Sequence, residues 1–176
     1  KGLFADGGNF DIPANYGLGV SFQPSKDWTF AADYQVIEYS GVKSIANPLS
    51  KLSAGNLLGS ADGPGFGWKD LSVFKLGLIH ELSPAITLRA GYSHASEPVP
   101  QDQTFFNILA PGVIEQHYTL GAGWRATPKL GFDLALMYAP PNPVTGKNPL
   151  SNVSLDGARL NARADGADQD IRLDMK

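Results

Sequence analysis

Residues 14–36 read ANYGLGVSFQPSKDWTFAADYQV, and their spacing decides the fold. In the first half the even positions are Ala14, Tyr16, Leu18, Val20 and Phe22, and the odd ones are Asn15, Gly17, Gly19, Ser21 and Gln23. Successive strand residues point to opposite faces, so this run is a strand with one apolar side and one small, polar side. Pro24-Ser25-Lys26-Asp27 makes a short turn. The chain then returns with Trp28, Phe30, Ala32, Tyr34 and Val36 on one face and Thr29, Ala31, Asp33 and Gln35 on the other.

The same period recurs along the chain. Phe74, Leu76 and Leu78 oppose Lys75 and Gly77, with Ile79 on the polar side as an exception. Ile86, Leu88, Ala90 and Tyr92 oppose Thr87, Arg89, Gly91 and Ser93. Tyr118, Leu120, Ala122 and Trp124 oppose Thr119, Gly121, Gly123 and Arg125, and Leu130 to Tyr138 alternates likewise. Ile171, Leu173 and Met175 against Asp170, Arg172 and Asp174 make a seventh candidate strand. Helical periodicity prevails nowhere over a comparable length.

The connections alternate in size. Those at Pro24, Ser83-Pro84 and Thr127-Pro128 are short, whereas 40–69, 97–113 and 139–166 are long. Loops beyond about 12–15 residues are uncommon in compact domains, and a long loop at every second connection is the pattern of a membrane barrel. A soluble sandwich alternates too, but it turns large residues inward. Here, with the short turns placed at the bottom, Phe22, Trp28, Trp124 and Phe132 form a lower row. Tyr16, Tyr34, Tyr92, Tyr118 and Tyr138 form an upper row, with uncharged aliphatics between them. Aromatic rings at two rims are what a headgroup interface favours. The rows lie six residues apart, about 15 Å along the normal for a tilted strand, against an apolar band of ~25 Å. The expected fold is therefore all-β, an antiparallel transmembrane β-barrel, with residues 1–176 supplying about seven of its strands.

Composition narrows the function classes. Hydrophobic residues make up 43% and charged residues 18%, and the net charge of −3 gives no reason to expect nucleic acid. The absence of cysteine removes thiol and disulfide chemistry. No run reaches the roughly 18 apolar residues of a membrane helix. The chain opens on Lys1-Gly2 without a basic and apolar leader, as expected of a processed or internal segment.

Several segments carry a family resemblance: Asp11-Ile-Pro-Ala-Asn-Tyr16, Asp62-Gly-Pro-Gly-Phe-Gly-Trp-Lys-Asp70, Leu88-Arg-Ala-Gly-Tyr92 with Pro98-Val-Pro100, and Phe106-Asn-Ile-Leu-Ala-Pro-Gly-Val113. Together they resemble the FadL/TodX-type outer-membrane transporters of long-chain fatty acids and aromatic hydrocarbons. The resemblance implies a fourteen-stranded barrel closed by an N-terminal hatch, of which this chain is the C-terminal half, strands eight to fourteen, without the hatch and first strands. It further implies passive transport of long-chain fatty acids or other hydrophobic compounds in the outer membrane of a Gram-negative bacterium. The expected partners are those compounds, outer-membrane lipid and lipopolysaccharide, and the missing half of the barrel with its hatch. A non-transport barrel serving as an adhesin or structural protein is the alternative, and a soluble β-sandwich comes third.

Candidate site residues follow from exposure and charge. Leu49, Leu52, Leu57, Leu58 and Phe66 in the first long loop, and Phe105, Phe106, Ile108 and Leu109 in the second, are candidates for hydrophobic capture, because solvated loops are ordinarily polar. The same residues could instead pack together and stiffen the loops. On the polar face Lys75, Arg89 and Arg125 could meet a carboxylate head group, or pair with Asp33, Glu81, Glu115 and Asp133. No catalytic set is expected: His80, His94 and His117 share no metal-ligand spacing, and His94 with Ser96 lacks an orienting third group. Asp165, Asp168 and Asp170 are an incomplete calcium loop. No metal, cofactor or enzyme activity is expected.

Overall fold

The computed structural model describes residues 2–149 and 169–175, together with the backbone of 153–156 and 159–162. Strands β1 (Ala14–Ser25), β2 (Trp28–Glu38), β3 (Leu71–Ser83), β4 (Ile86–Ala95), β5 (Gln116–Thr127) and β6 (Leu130–Tyr138) form one antiparallel sheet in chain order. Each short connection is a two-residue turn closed by Ser25 with Trp28, Ser83 with Ile86, or Thr127 with Leu130. In all three the Ser or Thr hydroxyl before the turn accepts from the amide two residues on, at 3.2–3.3 Å. No turn residue has positive φ, so these are not the primed turns that match strand twist, and a register shift stands beside each one.

The register carries the two faces across the whole sheet. Phe22, Phe30, Leu78, Ala90, Leu120 and Leu136 form one continuous row, and Gly19, Asp33, Lys75, Ser93 and His117 form a row on the other face. Ile79 does stand on the polar side, opposite Thr29 and Arg89. The apolar face is uncovered: Leu18 is 76% exposed, Leu120 64% and Leu134 63%. No described helix is long and apolar enough to cross a membrane.

The two aromatic rims run parallel. Tyr138 shares a row with Tyr118, Tyr92, Leu76, Ala32 and Val20, and Val20 lies four residues below Tyr16. The lower rim drops likewise, from Phe22 to Trp28 with His80, then to Trp124 with Phe132. The turns step down with them. Trp28 aligns with Leu88, two residues above Ile86, and Ile86 aligns with Phe132, two residues above Leu130. One residue of stagger per strand, with a rise of ~3.3 Å and a strand spacing of ~4.8 Å, inclines the strands by about 35°. That lies at the lower end of the ~35–45° found in membrane barrels.

The seventh candidate strand differs from the expectation. β10 (Asp170–Leu173) pairs not with the sheet but with β7 (Val144–Lys147), while β8 (Val153–Asp156) pairs with β9 (Arg159–Ala162). β10 is four residues long, whereas a tilted span needs about 9–11. Its alternation serves a small core instead: Leu173 is buried against Val99, Val113 and Val144, with Ile171 and Trp68 packed beside them. Among the described residues the sheet therefore has six strands.

Candidate functional site

The long connections converge on a cap at the loop end of the sheet. It contains α1 (Lys43–Ala46), α2 (Ser50–Ser53), α3 (Thr104–Asn107) and β7 with β10. Residues 62–70 run through its middle, with Gly63 to Gly67 buried. The amide of Ala5 bonds the Pro64 carbonyl at 2.8 Å, Gly65 bonds Asn47 at 2.9 Å, and Trp68 bonds Ile45 at 3.0 Å. A Cβ on Gly65 would lie 2.5 Å from the Ser44 carbonyl oxygen, so the segment seats on α1 only without a side chain there. Gly67, at φ 72°, leaves the space that the Gln103 amide fills.

Asn107 ties the cap together. Fully buried, it donates from Nδ2 to the carbonyls of Phe66 and Gln103, each at 2.7 Å, and accepts from Trp68 Nε1. Gln103 Oε1 accepts the amide of Leu49 at 2.8 Å. Around these bonds lies an aromatic cluster. Phe4 stacks on Phe66 with centroids 4.5 Å apart and meets Phe106 and Phe10 edge-on at 5.4 and 5.5 Å. Tyr39 stands edge-on to Trp68 at 5.1 Å, and burial raises its phenol above the ordinary value.

The capture candidates thus divide. Phe66 and Phe106 are buried in this cluster, and Phe105 is half-buried against Phe106. Leu57, Leu58, Ile108 and Leu109 are 74%, 42%, 56% and 67% exposed and take no part in it. Leu52 is also exposed, and Leu49 is half-buried.

The basic candidates do not meet. Lys75 pairs across β3–β4 with Ser93, four residues from Arg89, and Arg89 pairs with Gly121, four residues from Arg125. Each interval is about 13 Å along a strand. Lys75 Nζ donates to Gln35 Oε1 at 3.4 Å, with Asp33 directly across the strand pair. Arg89 spans β5 to reach Asp133 at 3.2 Å, passing over Gly123, where a Cβ would lie 2.8 Å from Asp133 Oδ1. Both partners are exposed, so the pair contributes about 0–1 kcal/mol. Arg125 has no ion-pair partner among the described residues. It lines a polar cleft of about 440 Å³ at the short-turn end with Glu81, Arg89 and Asp133.

The remaining candidates are placed apart from any chemistry. His80 and His94 lie in apolar-face rows, and His80 stacks on Trp28. Ser96 Oγ accepts the Ser72 amide instead of facing a histidine. Among the described residues no group of three or more His, Cys, Asp or Glu side chains could hold a metal ion. Asp165 and Asp168 lie outside the described residues.

Glu97 marks an electrostatic weak point in the cap. Its Oε1 is buried without a hydrogen-bond partner among the described residues. Burial first, and the nearby Glu115 second, raise its pKa above the ordinary 4.5, while Lys69 opposes them. The folded cap therefore binds this proton more tightly than the unfolded segment does. Cap stability falls as pH rises from about 4.5 through the raised value. Hydrogen exchange in residues 96–113 should be slower in acid than at neutrality after correction for intrinsic rates. Glu97→Gln should remove that difference and protect the neutral cap by less than about 1 kcal/mol, given the screening at a half-exposed group.

Sequence reasoning missed Phe4, Phe10, Gln103 and Asn107 as parts of the cap. The available signal is Phe4 and Phe10 ahead of the first strand, since two phenylalanines with Leu3 and Ile12 are excessive for solvated chain.

Comparison with known proteins places these features. A family model described as outer membrane protein transport protein (OMPP1/FadL/TodX) matches residues 6–171. The toluene transporter TbuX of Ralstonia pickettii is similar over 74% of this chain and 29% of its own, at 21% identity and a TM-score of 0.50. The toluene transporter TodX of Pseudomonas putida is similar over 80% and 30%, at 22% identity and a TM-score of 0.50. A TodX deltaS2S3 mutant, titled a monoaromatic hydrocarbon channel, is similar over 77% and 32%, at 20% identity and a TM-score of 0.56. The chain spans about a third of the length of these solved structures. No curated protein matches.

Proposed function

Since the chain belongs to the OMPP1/FadL/TodX family of outer-membrane transport proteins, we propose that it forms the C-terminal part of a barrel that passes hydrophobic compounds across the outer membrane of a Gram-negative bacterium. In this reading the short turns lie on the periplasmic side, the cap faces outward and the uncharged face meets lipid. The hatch and the remaining strands belong to the rest of the protein.

One observation carries the transport role. The aromatic side chains of the cap close its core, yet Leu57, Leu58, Ile108 and Leu109 remain outside it and exposed. Exposed aliphatics outside the packed core are suited to first contact with an apolar solute. Neutral aromatic hydrocarbons fit better than fatty acids. Arg89 pairs with Asp133, Lys75 bonds Gln35 and faces Asp33, and Arg125 lies at the short-turn end, so the basic candidates do not converge on one carboxylate.

Uptake of labelled toluene by cells carrying the intact protein tests the reading. The pairs Leu57→Ser with Leu58→Ser, and Ile108→Ser with Leu109→Ser, each remove exposed apolar area and leave the core intact. Uptake at low concentration should fall about threefold or more for each pair. Unchanged uptake at normal barrel levels would remove the capture role. Faster uptake of a long-chain fatty acid, lost with Arg125→Gln, would shift the substrate class to fatty acids.

A further inference from the structure

The apolar face is not an even wall. Ala32 on β2, Ala90 on β4 and Ala122 on β5 stand among Phe30, Leu78, Leu88 and Leu120, and the small side chains leave a trough. Two almost wholly apolar clefts, of about 530 and 410 Å³, lie along it and share Leu78 and Ala90. The clefts lie side by side between the two aromatic rims, and the second reaches Trp28 and His80 at its lower margin.

Its lower end is polar in a particular way. His80 stacks on Trp28 with centroids 3.9 Å apart, and its Nδ1 donates to the Asp27 carbonyl at 3.2 Å. That bond leaves Nε2 of the neutral ring an acceptor, so the group available to a phosphate is Lys26, exposed, in the same turn. A cationic end joined to an uncharged groove matches an anionic head group with an acyl chain.

We infer that the trough holds one acyl chain of a phospholipid from the periplasmic leaflet, with its phosphate at Lys26 beside Trp28. The short-turn end selects that leaflet, and the inference rests on the membrane orientation proposed above. The trough is continuous with the lipid-facing wall, so no solvated groove has to be emptied. Ala90 lines both clefts and Ala32 the first, so larger side chains at these positions would fill them.

The test uses the intact protein reconstituted in phosphatidylethanolamine–phosphatidylglycerol vesicles, extracted in mild detergent and weighed by native mass spectrometry. One phospholipid should persist after annular lipid is lost. The double variant Ala32→Leu with Ala90→Leu fills the trough with apolar side chains and should reduce that retention about tenfold while inserting normally. Lys26→Gln should reduce it about threefold by removing the head-group cation. Protein that fails to partition with membranes overturns the membrane reading and this inference together. Protein that inserts but retains no phospholipid, retains lipopolysaccharide instead, or retains phospholipid equally in the filled variant overturns this inference alone.

Discussion

Leu120→Arg should destabilise the folded protein in lipid vesicles by about 2–4 kcal/mol, the cost of placing an arginine near the bilayer midplane on a barrel's outer wall. Leu120 lies between Trp124 and Tyr118 on β5, in the row shared by Leu78, Ala90 and Leu136, and is 64% exposed. In water an exposed leucine replaced by arginine costs little, so the effect depends on lipid being the solvent of that face. Its neighbour Thr119 points to the other face beside Gly91 and Met137, and Thr119→Arg should change stability by less than about 1 kcal/mol. Denaturant titration of the intact protein in vesicles measures both. Equal effects at the two positions would contradict the assignment of faces.

Asn107→Ala should loosen the cap by about 2–4 kcal/mol. The change leaves the Phe66 and Gln103 carbonyls and Trp68 Nε1 without their buried partner, and each unmet polar group costs about 1–3 kcal/mol, less what water recovers. Hydrogen exchange should rise together in residues 62–70 and 101–110, while the strands keep their protection. Limited proteolysis should then cut the cap first. Asn107→Asp separates charge from shape: it retains the acceptor for Trp68 but offers no donor to the two carbonyls. It should behave like the alanine variant and not like the native protein.

The wall was legible because its physics is local and periodic. A period of two over nine or more residues admits little besides a strand, and Tyr16, Tyr34, Trp28 and Trp124 ordered it by depth. The stagger between hairpins followed only from the register. β10 misled because a four-residue alternation is the same signal whether it faces lipid or the core around Val99 and Val113. The cap was less legible still. Phe4 meets Phe106 across about a hundred residues of sequence, and no spacing announces such a contact. Phe66 and Phe106 stand out in the sequence as apolar loop residues, but hydrophobicity alone does not distinguish a side chain waiting for a solute from one already packed. Asn107 and Gln103 look like ordinary loop amides until their burial is known.

The equal step between the three hairpins means that turn length acts as a vertical gauge. A one-residue slip in a strand reverses its faces and is rejected at once. A two-residue slip keeps every side chain on its proper face, yet lifts or drops it by about 5 Å along the bilayer normal. Trp28 or Trp124 would then leave the headgroup layer for the hydrocarbon, or the reverse. Ser25, Ser83 and Thr127, by closing each turn at two residues, therefore set how deep each hairpin sits as well as which way it faces.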